Sequence, residues 1–306
     1  MPIVLDTVIV LISIIALWRG AVWMVEASAT IAAKLGLSEI IIGLTVVAFG
    51  TSAPEFAVTI LAAVRDQGDI SVGNIVGSNI INLGFILGGV ACILAVKTSR
   101  KLVFRDGLIL LGSSILLILF LYDFTISRLE GLVLFFLLIL YLFLLFKKKN
   151  PPEDAAASAE FHWSEIPRLL GGLVLIIAGS YFLVDSASDL ARVAGLSEWL
   201  IGISIVAAGT SAPEFVTSLV AVLRDKHGIS AGNLIGSNIF NTLGVLGLAG
   251  AIHPMVVNSQ ALISLVMLTI LVVFVLIAMR SGWRISRLEG AVLILLNLLV
   301  YVFSII

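Results

Sequence analysis

The heptapeptide GTSAPEF occurs twice in this chain, at residues 50–56 and 209–215, each time inside a stretch apolar enough to lie in a membrane. Its glutamates are Glu55 and Glu214, and 214 − 55 = 159. The same offset of 159 relates Thr51 to Thr210, Ser78 to Ser237, Asn82 to Asn241 and Arg128 to Arg287. One unit of structure has been used twice with no net insertion between these landmarks. Any fold for the chain must therefore accommodate two copies. A carboxylate at membrane depth costs several kcal/mol unless it is paired or solvated, so each glutamate marks a functional site.

Of the 306 residues, 60% are hydrophobic and only 12% are charged, about half the charged fraction of a soluble domain. Apolar runs repeatedly reach the roughly 20 residues needed to cross a hydrocarbon core. The expected class is an all-α polytopic membrane protein embedded in a lipid bilayer. Ten segments can be drawn, at about 5–30, 37–65, 70–95, 103–122, 128–146, 165–190, 196–224, 229–252, 259–280 and 286–305. The first five align with the second five. An odd number of crossings per copy forces consecutive copies into opposite orientations, which gives an inverted 5+5 repeat. The expected organisation is residues 1–147 as the first five-helix repeat, 148–164 as a short cytoplasmic linker and 165–306 as the second repeat. The N-terminal run lacks a basic leader and is needed as a first helix, so it is read as retained.

Basic residues test the orientation independently. With the N-terminus outside, the inside loops hold Lys34; Lys97, Arg100, Lys101 and Arg105; Lys147, Lys148, Lys149 and Arg168; Arg224 and Lys226; and Arg280, Arg284 and Arg287. The outside loops hold only Arg65, Arg128 and Arg192. Both termini are therefore expected outside, in a multi-pass cell-membrane protein. A net charge of −1 gives no reason to expect a nucleic-acid partner. The lone cysteine, Cys92, excludes an intramolecular disulfide. Oligomeric state is not legible.

Each copy pairs its glutamate motif with a second motif on the following helix, GNIVGSNIIN in the first half and GNLIGSNIFN in the second. Pro54 and Pro213 lack a backbone N–H, and Gly50 and Gly209 tolerate unusual dihedrals, so the helix is expected to break just before each glutamate. Backbone carbonyls freed at membrane depth must line a cavity or bind something. The hydroxyls of Thr51, Ser52, Thr210 and Ser211 belong to the same cluster. On the next helix Gly77-Ser78-Asn79 and Asn82 join it, with Ser237 and Asn241 repeating the Ser78 and Asn82 spacing. The inventory is all oxygen, which suits hard cations such as calcium and argues against zinc or copper. Two carboxylates neutralise one divalent or two monovalent cations, and competition for that charge is a physical basis for exchange.

Other polar residues have plainer readings. Gly73, Gly84, Gly88, Gly232 and Gly247 read as close-packing positions. Ser127–Glu130 and Ser286–Glu289 fit capping boxes. Ser38-Glu39 and Ser197-Glu198 fit helix entries. Glu26 and Asp185 are repeat partners expected at a membrane interface, with a role at a gate as the alternative. His162, His227 and His253 make no cluster. With no histidine or lysine at membrane depth to act as base, Ser52 and Ser211 are poor nucleophiles, and no enzyme activity is expected.

With GTSAPE plus GSNIIN in one half and GTSAPE plus GSNIFN in the other, the chain resembles the sodium/calcium exchanger family of the cation/calcium antiporter superfamily, in its prokaryotic form. The resemblance covers essentially the whole chain. It implies ten transmembrane helices, with the second, third, seventh and eighth forming an ion-binding core. The first and sixth would slide across that core. It also implies Glu55 and Glu214 as central acidic ligands, and Thr51, Ser52, Ser78, Thr210, Ser211 and Ser237 as hydroxyl ligands. Ala48 and Ala207 would be carbonyl ligands, with Asn82 and Asn241 at the amide-or-acid position. Many members carry aspartate at one of those last two sites, and potassium-dependent members are acid-rich there. Asparagine at both argues against potassium co-transport. The proton-coupled relatives typically carry GNxxE, which is absent here. The expected function is electrogenic sodium/calcium antiport by alternating access, with calcium and sodium as the transported ions and no cofactor. A calcium/proton antiporter is the alternative, and a cation channel built from the same oxygens is a further rival.

Overall fold

The computed structural model describes residues 2–147, 162–195 and 207–305. The inter-repeat linker at 148–161, the start of the seventh segment and the Ser197-Glu198 pair lie outside the described residues.

The described residues form twelve helices: α1 Pro2–Leu35, α2 Glu39–Thr51, α3 Ala53–Val64, α4 Gly68–Ile93, α5 Leu102–Asp123, α6 Arg128–Lys147, α7 Glu165–Val193, α8 Ala207–Thr210, α9 Ala212–Leu223, α10 His227–Ile252, α11 Ser259–Arg280 and α12 Arg287–Ile305. Among the described residues, seven helices are long and apolar enough to cross a membrane, and the bent pair α2–α3 makes an eighth when counted as one broken span. The mean burial is deepest along α4 and α10, while α1, α5, α6, α7 and α11 turn many apolar side chains outward. A helix that is apolar on all sides with one face exposed is what a lipid-facing position demands. The molecule therefore places α4 and α10 at its centre.

The duplication reaches the backbone. Left-handed φ values occur at Gly36 (65°) and Gly195 (83°), at Asp66 (57°) and Asp225 (57°), and at Phe124 (60°) and Trp283 (56°), each pair 159 apart. Single π-helical turns interrupt α4 at Ile81–Ile86 and α10 at Phe240–Val245, again at matching positions. A π turn leaves a carbonyl without its helical donor. Just before the π turn of α4 the Ile80 carbonyl accepts from Asn297 Nδ2 on α12, at 2.9 Å.

The expectation of helix alone needs one correction. Four two-residue strands, β1 Val96–Lys97, β2 Thr125–Ile126, β3 Met255–Val256 and β4 Arg284–Ile285, pair antiparallel as β1 with β4 and β2 with β3. They are too short to show any sequence period. Their pairing fixes geometry all the same. β1 and β2 flank opposite ends of α5, so β3 sits at the end of the molecule away from its repeat equivalent β1.

Small residues set the close approaches. A Cβ on Gly232 would stand 2.7 Å from the Ile40 carbonyl, one on Gly88 2.7 Å from that of Gly290, and one on Gly247 2.7 Å from the Phe135 nitrogen. Gly84 meets the Asn297 side chain as closely. These four are packing positions as expected. Gly73 is not: nothing lies near its Cβ position, because it lines an open groove between α4 and α11. Both capping boxes form. Ser127 N donates to Glu130 Oε2 at 2.8 Å while Glu130 N donates to Ser127 Oγ at 3.3 Å, and Ser286 with Glu289 repeats both distances. Ser38 caps α2 by accepting from Ile41 N. Cys92 is a free, partly exposed thiol.

Candidate functional site

α2 and α3 are one apolar run broken at Ser52, whose ψ of 9° leaves the helical region and bends the run by 53°. Pro54 lies in the first turn of α3, where its missing N–H is harmless. Ser211 (ψ 6°) and Pro213 do the same between α8 and α9. The break sits three residues before each glutamate, as the sequence leads one to expect. Its carbonyls are less free than expected. The Ala48 carbonyl accepts from Ser52 N at 3.1 Å and from the Thr51 hydroxyl at 3.3 Å. The Gly209 carbonyl, which Pro213 cannot reach with an N–H, accepts from Ser180 on α7 at 2.5 Å.

The break places Glu55 and Glu214 in the first turns of α3 and α9, where the helix dipole favours an anion. Glu55 is 1% exposed and Glu214 is fully buried. Ser52 donates to Glu214 Oε1 at 3.2 Å, so a hydroxyl of the first half reaches the carboxylate of the second. Thr51 donates to Asn233 Oδ1 at 3.1 Å and stands 3.4 Å from Ser237 Oγ, a second link between the halves. Asn241 Nδ2 donates to Ser78 Oγ at 3.3 Å and to Asn79 Oδ1 at 3.2 Å, a third. Thr51, Ser52, Ser78, Ser211, Ser237, Asn82 and Asn241 are all buried. Thr210 is half-buried at the end of α8, and Ala207 begins that helix.

Six buried oxygens of this cluster have no hydrogen-bond partner in the protein: both carboxylate oxygens of Glu55, Glu214 Oε2, Asn82 Oδ1, Asn241 Oδ1 and Ser211 Oγ. Such groups are rare and costly in a folded interior. A bound cation would recover that cost. An oxygen-only set of about this number fits the coordination of calcium, and its looser geometry fits sodium as well. No group of three or more His, Cys, Asp or Glu side chains assembles a conventional metal site among the described residues.

Sequence reasoning missed a layer behind the ligand candidates. Asn74 Nδ2 donates to the Glu55 carbonyl at 3.2 Å and to Thr59 Oγ1 at 2.9 Å. Its repeat partner Asn233 donates to Ser218 Oγ at 3.0 Å and to the Glu214 carbonyl at 3.5 Å. Each asparagine thus ties the helix after the break to the next one. Asn79 Nδ2 donates to Thr242 Oγ1 at 2.9 Å across the interface of α4 and α10. The signal was available: Asn74 and Asn233, and Thr59 and Ser218, recur at the same offset of 159. A trio outside the cluster, buried Asp106 and Tyr141 with half-buried Arg105, had no repeat partner to flag it.

Comparison with known proteins gives a consistent picture. The family model described as sodium/calcium exchanger protein matches residues 5–147 and 166–306. The chain is 34% identical to the sodium/calcium exchanger MaX1 of Methanosarcina acetivorans, across 96% of this chain and 96% of that protein. It is 31% identical to the inner membrane protein YrbG of Escherichia coli, across 94% and 93%. The solved structure of the sodium-calcium exchanger NCX_Mj soaked without sodium and calcium superposes with a TM-score of 0.85 at 30% identity, covering 97% of this chain and 98% of that one.

Proposed function

The chain is a member of the sodium/calcium exchanger family, and on that premise we propose that it exchanges sodium for calcium across a cell membrane. The observation that carries the reading is the pair of buried glutamates, Glu55 and Glu214, with partnerless oxygens around them. Glu55, Glu214, Thr51, Ser52, Thr210, Ser211, Ser78, Ser237, Asn82 and Asn241, with the carbonyls of Ala48 and Ala207, form the ion site. One calcium ion or several sodium ions neutralise the two carboxylates in turn. Asn82 and Asn241 are neutral, so the glutamates supply all the fixed charge.

Exchange is electrogenic and proceeds by alternating access. The empty, doubly anionic site resists crossing, and only a loaded site reorients. The architecture is ten transmembrane helices in an inverted 5+5 repeat, residues 1–147 and 165–306 about a cytoplasmic linker, with both termini outside. The strand pairs support the inversion, since repeat-equivalent strands lie at opposite ends of α5. The one-sided distribution of lysine and arginine supports the orientation.

The test is calcium uptake into vesicles carrying the purified protein. An outward sodium gradient drives uptake, and Glu55→Gln or Glu214→Gln abolishes it. Uptake that ignores sodium and follows a pH gradient would overturn the reading in favour of calcium/proton exchange. Conductive flux without counter-ion would indicate a channel.

A further inference from the structure

Glu26, near the C-terminal end of α1, is gripped from two sides. Its Oε1 accepts from Arg224, which caps the C-terminus of α9, and its Oε2 accepts from Arg168 in the first turns of α7. The repeat offset maps this contact onto a second place, because 185 − 26 = 159 and 224 − 65 = 159. The equivalent pair is Asp185 on α7 and Arg65, which caps the C-terminus of α3. Acid remains acid and arginine remains arginine. No other ion pair between separate elements survives the mapping among the described residues. Lys226, paired with Glu39, becomes Gln67; Lys97, paired with Asp225, becomes Val256; and Arg168 becomes Ile9.

The mapped pair is not formed here. Asp185 and Arg65 are both exposed, and neither has an ion pair among the described residues. Helix packing shows the same asymmetry: α1 lies along α9, whereas no comparable packing joins α7 to α3. The helices that carry the two acids are locked together. A Cβ on Gly20 of α1 would meet the Gly172 carbonyl of α7 at 2.7 Å, and one on Gly172 would meet the Gly20 carbonyl at the same distance. Backbones this close move as one body, so a shift that draws Glu26 away from Arg224 also carries Asp185 relative to Arg65.

We propose that Glu26–Arg224 and Asp185–Arg65 are reciprocal ion-pair latches that close opposite ends of the transport path in alternation. Glu26–Arg224 is the latch engaged in this structure. Arg168 adds a second hold to it that the other end lacks, and so biases the resting protein toward closure at the α9 end. The inference rests on the alternating-access reading given above.

The experiment uses the full chain with Cys92→Ala, which leaves no native thiol, reconstituted in vesicles. Two double variants, Glu26→Cys with Arg224→Cys and Arg65→Cys with Asp185→Cys, are treated with a short bis-methanethiosulfonate cross-linker in sodium and in calcium. Each pair is expected to cross-link, each link to stop transport until reduced, and conditions that raise one yield to lower the other. In the Arg65→Cys with Asp185→Cys variant, where Glu26 and Arg224 are intact, Arg168→Gln should raise the yield of the 65–185 link, and so its ratio to the 26–224 link, by about 1.4- to five-fold, the range for losing one half-exposed pair. The proposal is overturned if the 65–185 link never forms while the 26–224 link does, if the two yields rise and fall together, or if Arg168→Gln leaves their ratio unchanged. Cross-linking does not depend on which ion drives the cycle. Exclusive links without sodium-driven uptake would overturn the sodium/calcium reading alone, and sodium-driven uptake without exclusive links would overturn the latch alone.

Discussion

Asn74 and Asn233 are equivalent in sequence, yet the structure gives them unequal work, and replacing each by leucine separates the two. Leucine has nearly the shape of asparagine and no polar atoms. Asn74→Leu removes the bonds to Thr59 Oγ1 at 2.9 Å and to the Glu55 carbonyl at 3.2 Å, both within the first half. Asn233→Leu removes the bond to Ser218 Oγ at 3.0 Å and the longer one to the Glu214 carbonyl at 3.5 Å, but also the Oδ1 that accepts from Thr51 at 3.1 Å. Hydrogen bonds between membrane helices are worth about 0.6 kcal/mol each on average. Both variants should therefore lose about 1–2 kcal/mol of stability, read as similar falls in the melting temperature in detergent. Calcium affinity should part them. Only Asn233→Leu removes the acceptor that aims the Thr51 hydroxyl across the halves, leaving it to the Ala48 carbonyl and Ser237, and a misaimed ligand worth up to about 1.4 kcal/mol weakens binding up to about tenfold. The assay is half-saturation of calcium uptake at a fixed sodium gradient. Equal loss of affinity in the two variants, or a larger loss in Asn74→Leu, would refute the cross-half role of Asn233.

The remaining predictions concern scaffold and surface. Ser127→Ala and Ser286→Ala each break a capping box and should each cost about 1 kcal/mol in thermal unfolding while leaving calcium half-saturation unchanged. Gly236→Ala would drive a Cβ to 2.6 Å from the Leu44 Cα and 2.7 Å from its carbonyl, forcing α10 from α2 beside Ser237. It should cost roughly 1–3 kcal/mol as overpacking and abolish uptake even where the variant still folds. Asp225 lies in the loop before α10, where its hydrogen bond from Lys97 and that residue's charge hold the carboxyl below its ordinary range. A depressed carboxyl stabilises the fold above its unfolded value of about 3.9 and loses that contribution as the pH falls through its folded value. The difference in melting temperature between Asp225→Asn and the parent chain should be present at pH 7, begin to shrink as the pH falls below about 4, and vanish below the folded value of Asp225.

Much of this was legible because the chain states its plan twice. The doubled glutamate motif singled out both carboxylates and the second motif singled out Ser78, Asn82, Ser237 and Asn241, and the structure buries all six. Capping boxes were legible because their chemistry is local. What was hidden depends on which residues meet across the two halves. Asn233 is polar in a run of small residues, and nothing local says that its amide oxygen faces Thr51. The four strands were invisible because two residues carry no period. Gly73 looked like its close-packed neighbours because a glycine records that a Cβ is missing, and not what stands in its place. Glu26 could be assigned to an interface from its position in α1, but its two arginines come from elements 142 and 198 residues away.

The central claim is that Glu55 and Glu214 supply all the fixed charge of a single cation site for which sodium and calcium compete. Direct calcium binding to the purified protein in detergent tests it, by equilibrium dialysis at increasing sodium, with Glu55→Gln, Glu214→Gln and the double variant alongside. The account predicts one calcium per chain, displaced by sodium, with binding lost in the double variant and severely weakened in each single one. Calcium retained by the double variant, or bound with no response to sodium, would contradict it.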